Sequence, residues 1–325
     1  MRQESDENAG EVDEDAVVWE VIGSIDSLLE KDRRLQEACT PGFFICGAAK
    51  AGTTSLFNYL GQHPSIFTPE RKEPGYFSAL RPLRSPDRYE RLFDGARKGQ
   101  LIGEASGSYL TSPDCAQRIA HVSPQAKIII MLRNPADRAF SLYRWMTREG
   151  YEWISSFEQA LEKEGERRGS RSFIENNPEY YYNYLYYTSG RYAHQVERFL
   201  DYFDRSQVRF VLFDEFIESP SVHTKNVIRF LGLDDSFSPR TPVRNKGRDT
   251  LAASLQYWLC QNAPSYLKLL PGGLRVAETL MRWNKVGKWR TLRDQCRERL
   301  LASYEANIRR TGRLISRDLS SFWLN

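Results

Sequence analysis

Short apolar runs alternate with amphipathic stretches through most of this chain. The apolar runs predict buried β-strands at residues 43–47, 66–68, 101–104, 127–132 and 208–213. Between and after them, apolar residues recur at helical spacing near 54–62, 86–93, 113–121, 135–149, 156–164, 189–204 and 220–231. Strands that alternate with helices indicate a parallel sheet with helices on both faces. We therefore predict a three-layer α/β/α fold that resembles the P-loop architecture.

The two ends of the chain depart from this pattern. Residues 1–15 hold one Arg and seven Asp or Glu, a net charge of −6, which predicts a solvated acidic tail. Residues 16–38 show the apolar spacing of an amphipathic helix. Residues 251–325 are helical by periodicity, and because no clear linker precedes them we expect a helical C-terminal cap on the same domain. The predicted units are the tail with its helix at 1–38 and one domain at 39–325.

Composition narrows the class of protein. The chain has 325 residues, of which 41% are hydrophobic, yet no run of about 18 apolar residues occurs and the N-terminus does not have the pattern of a secretory signal. This predicts a cytoplasmic protein without a membrane span. The formal net charge is +4, so the residues after the acidic tail carry +10. That excess suits an anionic ligand, but it is spread along the chain, and we expect no nucleic-acid partner.

Cysteine and histidine positions bear on metal sites and disulfides. Five cysteines and four histidines are widely scattered, without a C-x-x-C or a His–Cys pair at ligand spacing. This favours a reducing compartment and argues against a zinc site. The hydrolase motifs G-x-S-x-G and H-E-x-x-H do not occur.

The strongest motif is the segment Gly47-Ala-Ala-Lys-Ala-Gly-Thr-Thr-Ser55, which lies between the first strand and the first helix of the domain. In such a loop the backbone N–H groups and the helix N-terminus converge on an anion, typically a phosphate. The outline is that of the nucleotide-triphosphate loop, except that Lys50 lies inside the loop and Thr53 stands where those enzymes carry lysine. This displacement indicates a phosphate-containing donor other than ATP.

A second motif follows the fourth strand. The strand ends in Arg133, Pro135 opens a helix, and Ser141 lies about two turns into it. Arginine offers a forked donor and serine a hydroxyl to a second phosphate, although a helix-capping salt bridge is an alternative role for Arg133.

Two further segments lie after the second and third strands. Thr68 to Phe77 contains Glu73 between Lys72 and Pro74, with two aromatic residues close behind, so Glu73 is a candidate desolvated general base. An exposed loop glutamate is the plainer alternative. Gly103 to Tyr109 is rich in small residues, which would let a ligand approach the backbone, or would simply form a turn.

Together these segments resemble the sulfotransferases that use 3′-phosphoadenosine 5′-phosphosulfate (PAPS), and among them the glycan sulfotransferases. The likeness covers about residues 42–325, and its nearest branch is the N-acetylgalactosamine 4-sulfate 6-O-sulfotransferase type. The heparan-type enzymes carry a lysine where Ala105 stands, so the chain departs from them there. The resemblance implies that the 5′-phosphosulfate loop consists of Lys50, Ala51, Gly52, Thr53, Thr54 and Ser55.

The resemblance also implies a mechanism. Arg133 and Ser141 would hold the 3′-phosphate, and a basic segment containing Arg248 would close over the nucleotide, whose product form is 3′-phosphoadenosine 5′-phosphate (PAP). Lys50 would neutralise charge on the leaving group, and Glu73 would take the proton of an acceptor hydroxyl. The acceptor is expected to contain carbohydrate, and no metal is required.

Several alternatives stay open from the sequence. A P-loop kinase is one, although Thr53 and the lack of an evident Mg²⁺-binding Asp count against it, and a non-catalytic nucleotide-binding module is another. The tyrosine-rich run 180–187 is interpreted as core packing rather than an acceptor groove. The chain is also compatible with a catalytic domain of a Golgi enzyme.

Overall fold

The computed structural model describes residues 15–37, 40–80, 85–242, 250–261, 273–285 and 291–324. The acidic tail before Asp15 and the predicted nucleotide contact Arg248 lie outside these ranges. The predictions for both segments therefore stay predictions.

A five-stranded parallel sheet forms the centre of the described residues. Its strands are β1 (Phe43–Ile45), β2 (Ile66–Phe67), β3 (Leu101–Ala105), β4 (Lys127–Leu132) and β5 (Val208–Leu212), in the order β2-β3-β1-β4-β5. Ile45 pairs with Ala105 on one side and with Ile129 on the other. All five predicted strands are confirmed, with ends within two residues.

The three-layer α/β/α arrangement follows from the burial of the sheet. Residues 128–132 of β4 are completely buried, as are all three residues of β1. Such continuous apolar runs suit parallel strands that are covered by helices on both faces. Because the carboxyl ends of parallel strands meet at one edge, the segments after β1, β3 and β4 lie together there, where ligands bind in sheets of this kind.

Sixteen α-helices occur in the described residues. Those before β5 are α1 (Ala16–Ile22), α2 (Ile25–Asp32), α3 (Thr53–Leu60), α4 (Pro86–Glu90), α5 (Cys115–Val122), α6 (Pro135–Glu149), α7 (Phe157–Glu162), α8 (Glu164–Arg167), α9 (Arg171–Asn176) and α10 (Tyr192–Tyr202). Those after β5 are α11 (Phe213–Glu218), α12 (Pro220–Phe230), α13 (Ala253–Gln261), α14 (Gly273–Asn284), α15 (Asp294–Ile315) and α16 (Leu319–Trp323).

The helices differ from the sequence prediction at several places, and α9 (Arg171–Asn176) was not predicted. The single helix expected at 16–38 is broken at Gly23, whose φ of 84° ends α1. The helix expected at 156–164 is two short helices, α7 and α8. Phe213, predicted as the last strand residue, begins α11, where Asp214 and Glu215 in the first turn favour a helix N-terminus.

The N-terminal helices pack against the rest of the protein through a buried ion pair. Asp32 at the end of α2 is completely buried, and the Arg118 side chain on α5 contacts its carboxylate at 2.7 Å. Tyr76 also donates a hydrogen bond of 2.7 Å to Asp32. The domain boundary near residue 38 stays a prediction. Within the described ranges, no helix is both long enough and apolar enough to cross a membrane.

Candidate functional site

The loop between β1 and α3 turns tightly around Lys50. The φ angles of Gly47, Lys50 and Gly52 are 130°, 70° and 88°. Met131 on β4 donates its N–H to the Gly47 carbonyl at 2.8 Å, which fastens the loop to the sheet edge. At the start of α3 the Ser55 and Leu56 N–H groups donate to the Gly52 carbonyl at 3.0 and 3.2 Å, whereas the N–H groups of Thr53 and Thr54 precede any acceptor within the helix. This backbone is compatible with an anion at the helix N-terminus, and its use for a phosphate stays a prediction.

Lys50 is the most perturbed cation of this loop. Its pKa is lowered to about 8, mainly by burial and in smaller part by the nearby cations Arg148, Arg133 and Lys72. Glu73 acts in the opposite direction. Several positive charges thus crowd into a space of low dielectric, and an anion bound among them would relieve their repulsion.

Arg133 lies directly after β4 and faces the same loop. Its Nη1 donates a hydrogen bond of 3.2 Å to the Lys50 carbonyl, and its guanidinium lies 4.5 Å from the centre of the Phe213 ring. The cap of α6 is Asn134, whose side chain accepts backbone N–H groups at the helix start. Because Asn134 fills that role, Arg133 is not the capping residue that the alternative interpretation required.

The face of α6 that follows Arg133 also borders the loop. Ser141 is partly buried two turns into the helix, and its joint use with Arg133 for a phosphate stays a prediction. Four residues further on, the Trp145 ring centre lies 5.5 Å from Lys50 Nζ. Positions four residues apart share a helix face, so Ser141 and Trp145 lie on the same side of α6.

Glu73 lies beside the loop, in a left-handed backbone conformation with φ of 62°. Its N–H donates to the Ala105 carbonyl at 3.1 Å, at the end of β3. Lys72 Nζ lies 2.7 Å from Glu73 Oε1 and 3.5 Å from Thr53 Oγ1, so this lysine joins the carboxylate to the phosphate loop. The Glu73 side chain is 42% exposed. The expected desolvated pocket is therefore absent around it in the described residues, and Glu73 lies at a solvent-facing rim.

A buried carboxyl group supports the segment that carries Glu73. Glu104 is completely buried; it accepts hydrogen bonds from Ser106 at 2.7 Å, Tyr109 at 2.8 Å and Tyr89 at 3.1 Å. Burial raises the pKa of Glu104 to about 7, although the three hydroxyl donors act to lower it. Ser106 Oγ in turn accepts the N–H of Gly75 at 3.0 Å. The small residues after β3 therefore fix the neighbouring loop.

Sequence reasoning missed four residues that contact or act on the predicted site. Lys72 was not predicted as a site residue, although its position next to Glu73 in the sequence indicated that it lies near the site. Trp145 and Arg148 follow Ser141 at helical spacing, which also places them on the site-facing side of α6. The Phe213 ring packs against Arg133, but the sequence did not indicate this contact because Phe213 follows a different strand.

No cluster of metal-binding side chains occurs in the part of the chain that the structure describes: three or more His, Cys, Asp or Glu residues nowhere gather closely enough to hold an ion. The site there consists of cations, hydroxyls and one exposed carboxylate.

Comparisons with known proteins bear on this site. A family model described as a sulfotransferase domain matches residues 40–312. A solved sulfotransferase from Alicyclobacillus acidocaldarius is 34% identical and superposes with a TM-score of 0.68, over 89% of this chain and 100% of that one.

Two curated relatives cover less. The human bifunctional heparan sulfate N-deacetylase/N-sulfotransferase 2 is 27% identical over 59% of this chain and 22% of its own length. The mouse heparan sulfate glucosamine 3-O-sulfotransferase 3B1 is 29% identical over 59% of this chain and 46% of its own length. The chain thus spans less than half the length of these two relatives.

Proposed function

Because this chain belongs to the sulfotransferase domain family, we propose that it transfers a sulfuryl group from PAPS to a hydroxyl of a carbohydrate-containing acceptor. The observation that carries the proposal is the grouping of the partly buried Lys50 with Arg133, Arg148 and Lys72 beside the N-terminus of α3. Lys72 and Arg148 each have a carboxylate partner, Glu73 and Glu149, but these cations still lower the pKa of Lys50, and a bound anion would offset that repulsion.

The residues present fit the sulfuryl donor of this family, which is PAPS. The positive φ angles of Gly47 and Gly52 let the backbone approach a phosphate, and a Cβ at Gly47 would lie 2.8 Å from Leu110 Cβ. Thr53, Thr54 and Ser55 begin α3, where N–H groups and hydroxyls favour negative charge. When bound, PAPS supplies the activated sulfuryl group and the phosphate that leaves.

Lys50 and Arg133 have separate roles in this proposal. With a pKa of about 8, Lys50 is mostly charged at neutral pH and stabilises negative charge on the leaving oxygen. Arg133, held by the Lys50 carbonyl and the Phe213 ring, receives the 3′-phosphate together with Ser141. Ala51 and Gly52 complete the loop wall.

Glu73 serves as the general base in this proposal. Its position beside Lys72, which also contacts Thr53, supports the assignment, because it holds the carboxylate next to the phosphate loop. At the exposed rim an acceptor hydroxyl can approach Glu73 and lose its proton as the new sulfate ester forms. Arg248 is assigned to the nucleotide by the resemblance alone.

The acceptor is proposed to be a glycan, glycolipid or glycosylated small molecule. Support comes from the names of the heparan sulfate relatives, whereas the sequence likeness points to the N-acetylgalactosamine branch. By the resemblance, Ala105 stands where the heparan-type enzymes carry a lysine. The sugar unit and the position that is sulfated are therefore left to an acceptor screen.

A thermal-shift titration tests the donor class. A ligand that binds only the folded state raises the melting temperature by mass action. We expect PAP to raise it and ATP–Mg²⁺ to leave it unchanged. Stabilisation by ATP–Mg²⁺ alone would replace the proposal with a kinase, and no response to either nucleotide would favour a module that does not bind them.

Two substitutions test the assigned roles. Glu73→Gln is expected to abolish sulfuryl transfer while PAP still binds, with Glu70→Gln, an exposed glutamate in the same loop, as the control. Full turnover by the Glu73→Gln variant would exclude Glu73 as the base.

A second substitution tests Arg133. Arg133→Ala is expected to weaken the binding of PAP far more than the binding of 5′-AMP, as measured by calorimetry. Equal losses for the two nucleotides would show that Arg133 does not read the 3′-phosphate.

A further inference from the structure

A second cleft lies near the transfer site, at the junction of α6, α9 and the tyrosine-rich segment. Its volume is about 380 Å³, within the range of small-molecule sites. Tyr151, which follows α6, forms part of its wall. The Tyr151 ring lies 5.8 Å from that of Trp145, and Trp145 in turn contacts Lys50. One aromatic ring therefore separates this cleft from the predicted position of the sulfuryl group.

The wall of the cleft combines an exposed aromatic face with uncharged polar groups. Trp153 is 54% exposed and borders the cleft, so its ring is open to a ligand. Ser172 and Asn176 contribute a hydroxyl and an amide from α9 and are exposed to solvent. A flat apolar face beside hydrogen-bonding groups suits a ligand with one apolar face and several hydroxyls.

A buried hydroxyl group in the same wall is unpaired. Tyr184 is only 3% exposed, and within the described residues its hydroxyl has no hydrogen-bond partner. Leaving a buried hydroxyl without a partner costs free energy, so such groups usually pair with a ligand or an ordered water. This residue belongs to the run 180–187, whose other tyrosines are interpreted as core packing. Its hydroxyl has almost no accessible surface, so it lies behind the cleft wall and is not counted among the groups offered to a ligand.

The charged residues that line the cleft indicate whether a charged or a neutral ligand is favoured. Glu152 and Arg167 are its charged lining residues, and both are buried. They pair with each other through two contacts of 2.7 and 3.0 Å, and Tyr186 donates a further hydrogen bond of 2.9 Å to Glu152. Because the two charges neutralise each other, the lining has no excess cation for an acidic or sulfated sugar.

We propose that this cleft binds a neutral sugar residue of the acceptor, one that precedes or follows the unit that is sulfated. Trp153 packs against the apolar face of the sugar ring, and the exposed side chains of Ser172 and Asn176 form hydrogen bonds with its hydroxyls. The inference rests on the proposed function, since it assumes a glycan acceptor. It adds a preference for an oligosaccharide that is long enough to occupy both the cleft and the Glu73 rim.

Binding measurements test this cleft separately from catalysis. We would titrate the protein, saturated with PAP, with chitotetraose and cellotetraose as neutral probes and with a glucuronate-containing heparosan tetrasaccharide, using calorimetry. Trp153→Ala is expected to weaken the better neutral probe about tenfold, and Ser172→Ala about fivefold, in line with the loss of one stacked ring or one hydrogen bond. The control is Trp258→Ala, which removes an exposed tryptophan, 47% accessible, from α13.

The possible outcomes are distinct. Selective loss in the two cleft variants, with the control unchanged, supports the subsite. The subsite is overturned if neither neutral tetrasaccharide binds the unaltered protein, if all variants bind equally, or if the heparosan probe is the one that depends on Trp153. PAP binding in the same experiment reports on the proposed function, so its failure is seen independently.

Discussion

Replacing Glu104 by glutamine should change how the stability of this protein depends on pH. Glu104 is completely buried, and burial raises its pKa to about 7, against an ordinary value of 4.5. The folded protein therefore keeps the Glu104 proton at pH values where the unfolded chain releases it. The stabilisation that comes from this retained proton is fully present below pH 4.5 and is lost as the pH rises through 7.

The size of the loss follows from the separation of the two pKa values. Each pH unit over which only the folded state holds the proton lowers the free energy of unfolding by about 1.4 kcal/mol, so the whole interval corresponds to about 3 kcal/mol. Glutamine has nearly the same shape but does not titrate. The difference between the wild-type and Glu104→Gln free energies of unfolding should therefore shift by about 3 kcal/mol between pH 4.5 and pH 8, in favour of the variant at high pH.

Urea unfolding followed by tryptophan fluorescence at pH 5, 6, 7 and 8 measures this shift. A constant offset between the proteins is expected as well, because the amide adds donors beside Ser106, so the test lies in the slope. Glu166→Gln is the control: its carboxylate is 70% exposed and pairs with Lys163, and surface pairs contribute below about 1 kcal/mol. Parallel pH profiles for wild type and Glu104→Gln would refute the reasoning.

Three further predictions concern the loop and the N-terminal helices. PAP affinity should fall as the pH rises above about 8, the pKa of Lys50 in the free protein, and binding near that pH should take up protons, which calorimetry in buffers of different ionisation enthalpy detects. Gly52→Ala should weaken PAP and destabilise more than Gly99→Ala; both have φ near 88°, but only at Gly52 would a Cβ meet a ring carbon at 3.1 Å. Asp32→Ala should lower the free energy of unfolding by about 3 to 5 kcal/mol, because it leaves Arg118 buried without one of its carboxylates.

The strands and the phosphate loop were predictable because their signals are local. Residues 128–132 are five consecutive apolar residues, a pattern typical of a strand buried on both faces. The turn around Lys50 is marked by Gly47 and Gly52, which tolerate positive φ. The order of the strands was not predictable, because the pairing of Ile45 with both Ala105 and Ile129 depends on contacts between segments far apart in the chain.

The environment of Glu73 could not be predicted from the neighbouring residues in the sequence. The aromatic residues that follow it suggested a desolvated pocket, but Tyr76 and Phe77 pack with Tyr89 in the core, and the Glu73 side chain remains 42% exposed. The segment turns at Glu73 and Gly75, both at positive φ, and sends the aromatic rings inward and the carboxylate outward. A sequence names the residues of such a loop but does not state which side each one faces.

The proposed anion site also depends on residues outside the glycine motif of residues 47–55. Arg148, on the last turn of α6, is the first of the charged neighbours that lower the pKa of Lys50, ahead of Arg133. Removing a cation that repels Lys50 should raise its pKa, even though the phosphate loop itself is untouched. In the proposed site the loop would supply the geometry for a phosphate, while α6 and the Lys72 segment would determine how strongly negative charge is favoured. An altered α6 could keep the complete glycine motif and still bind the nucleotide poorly.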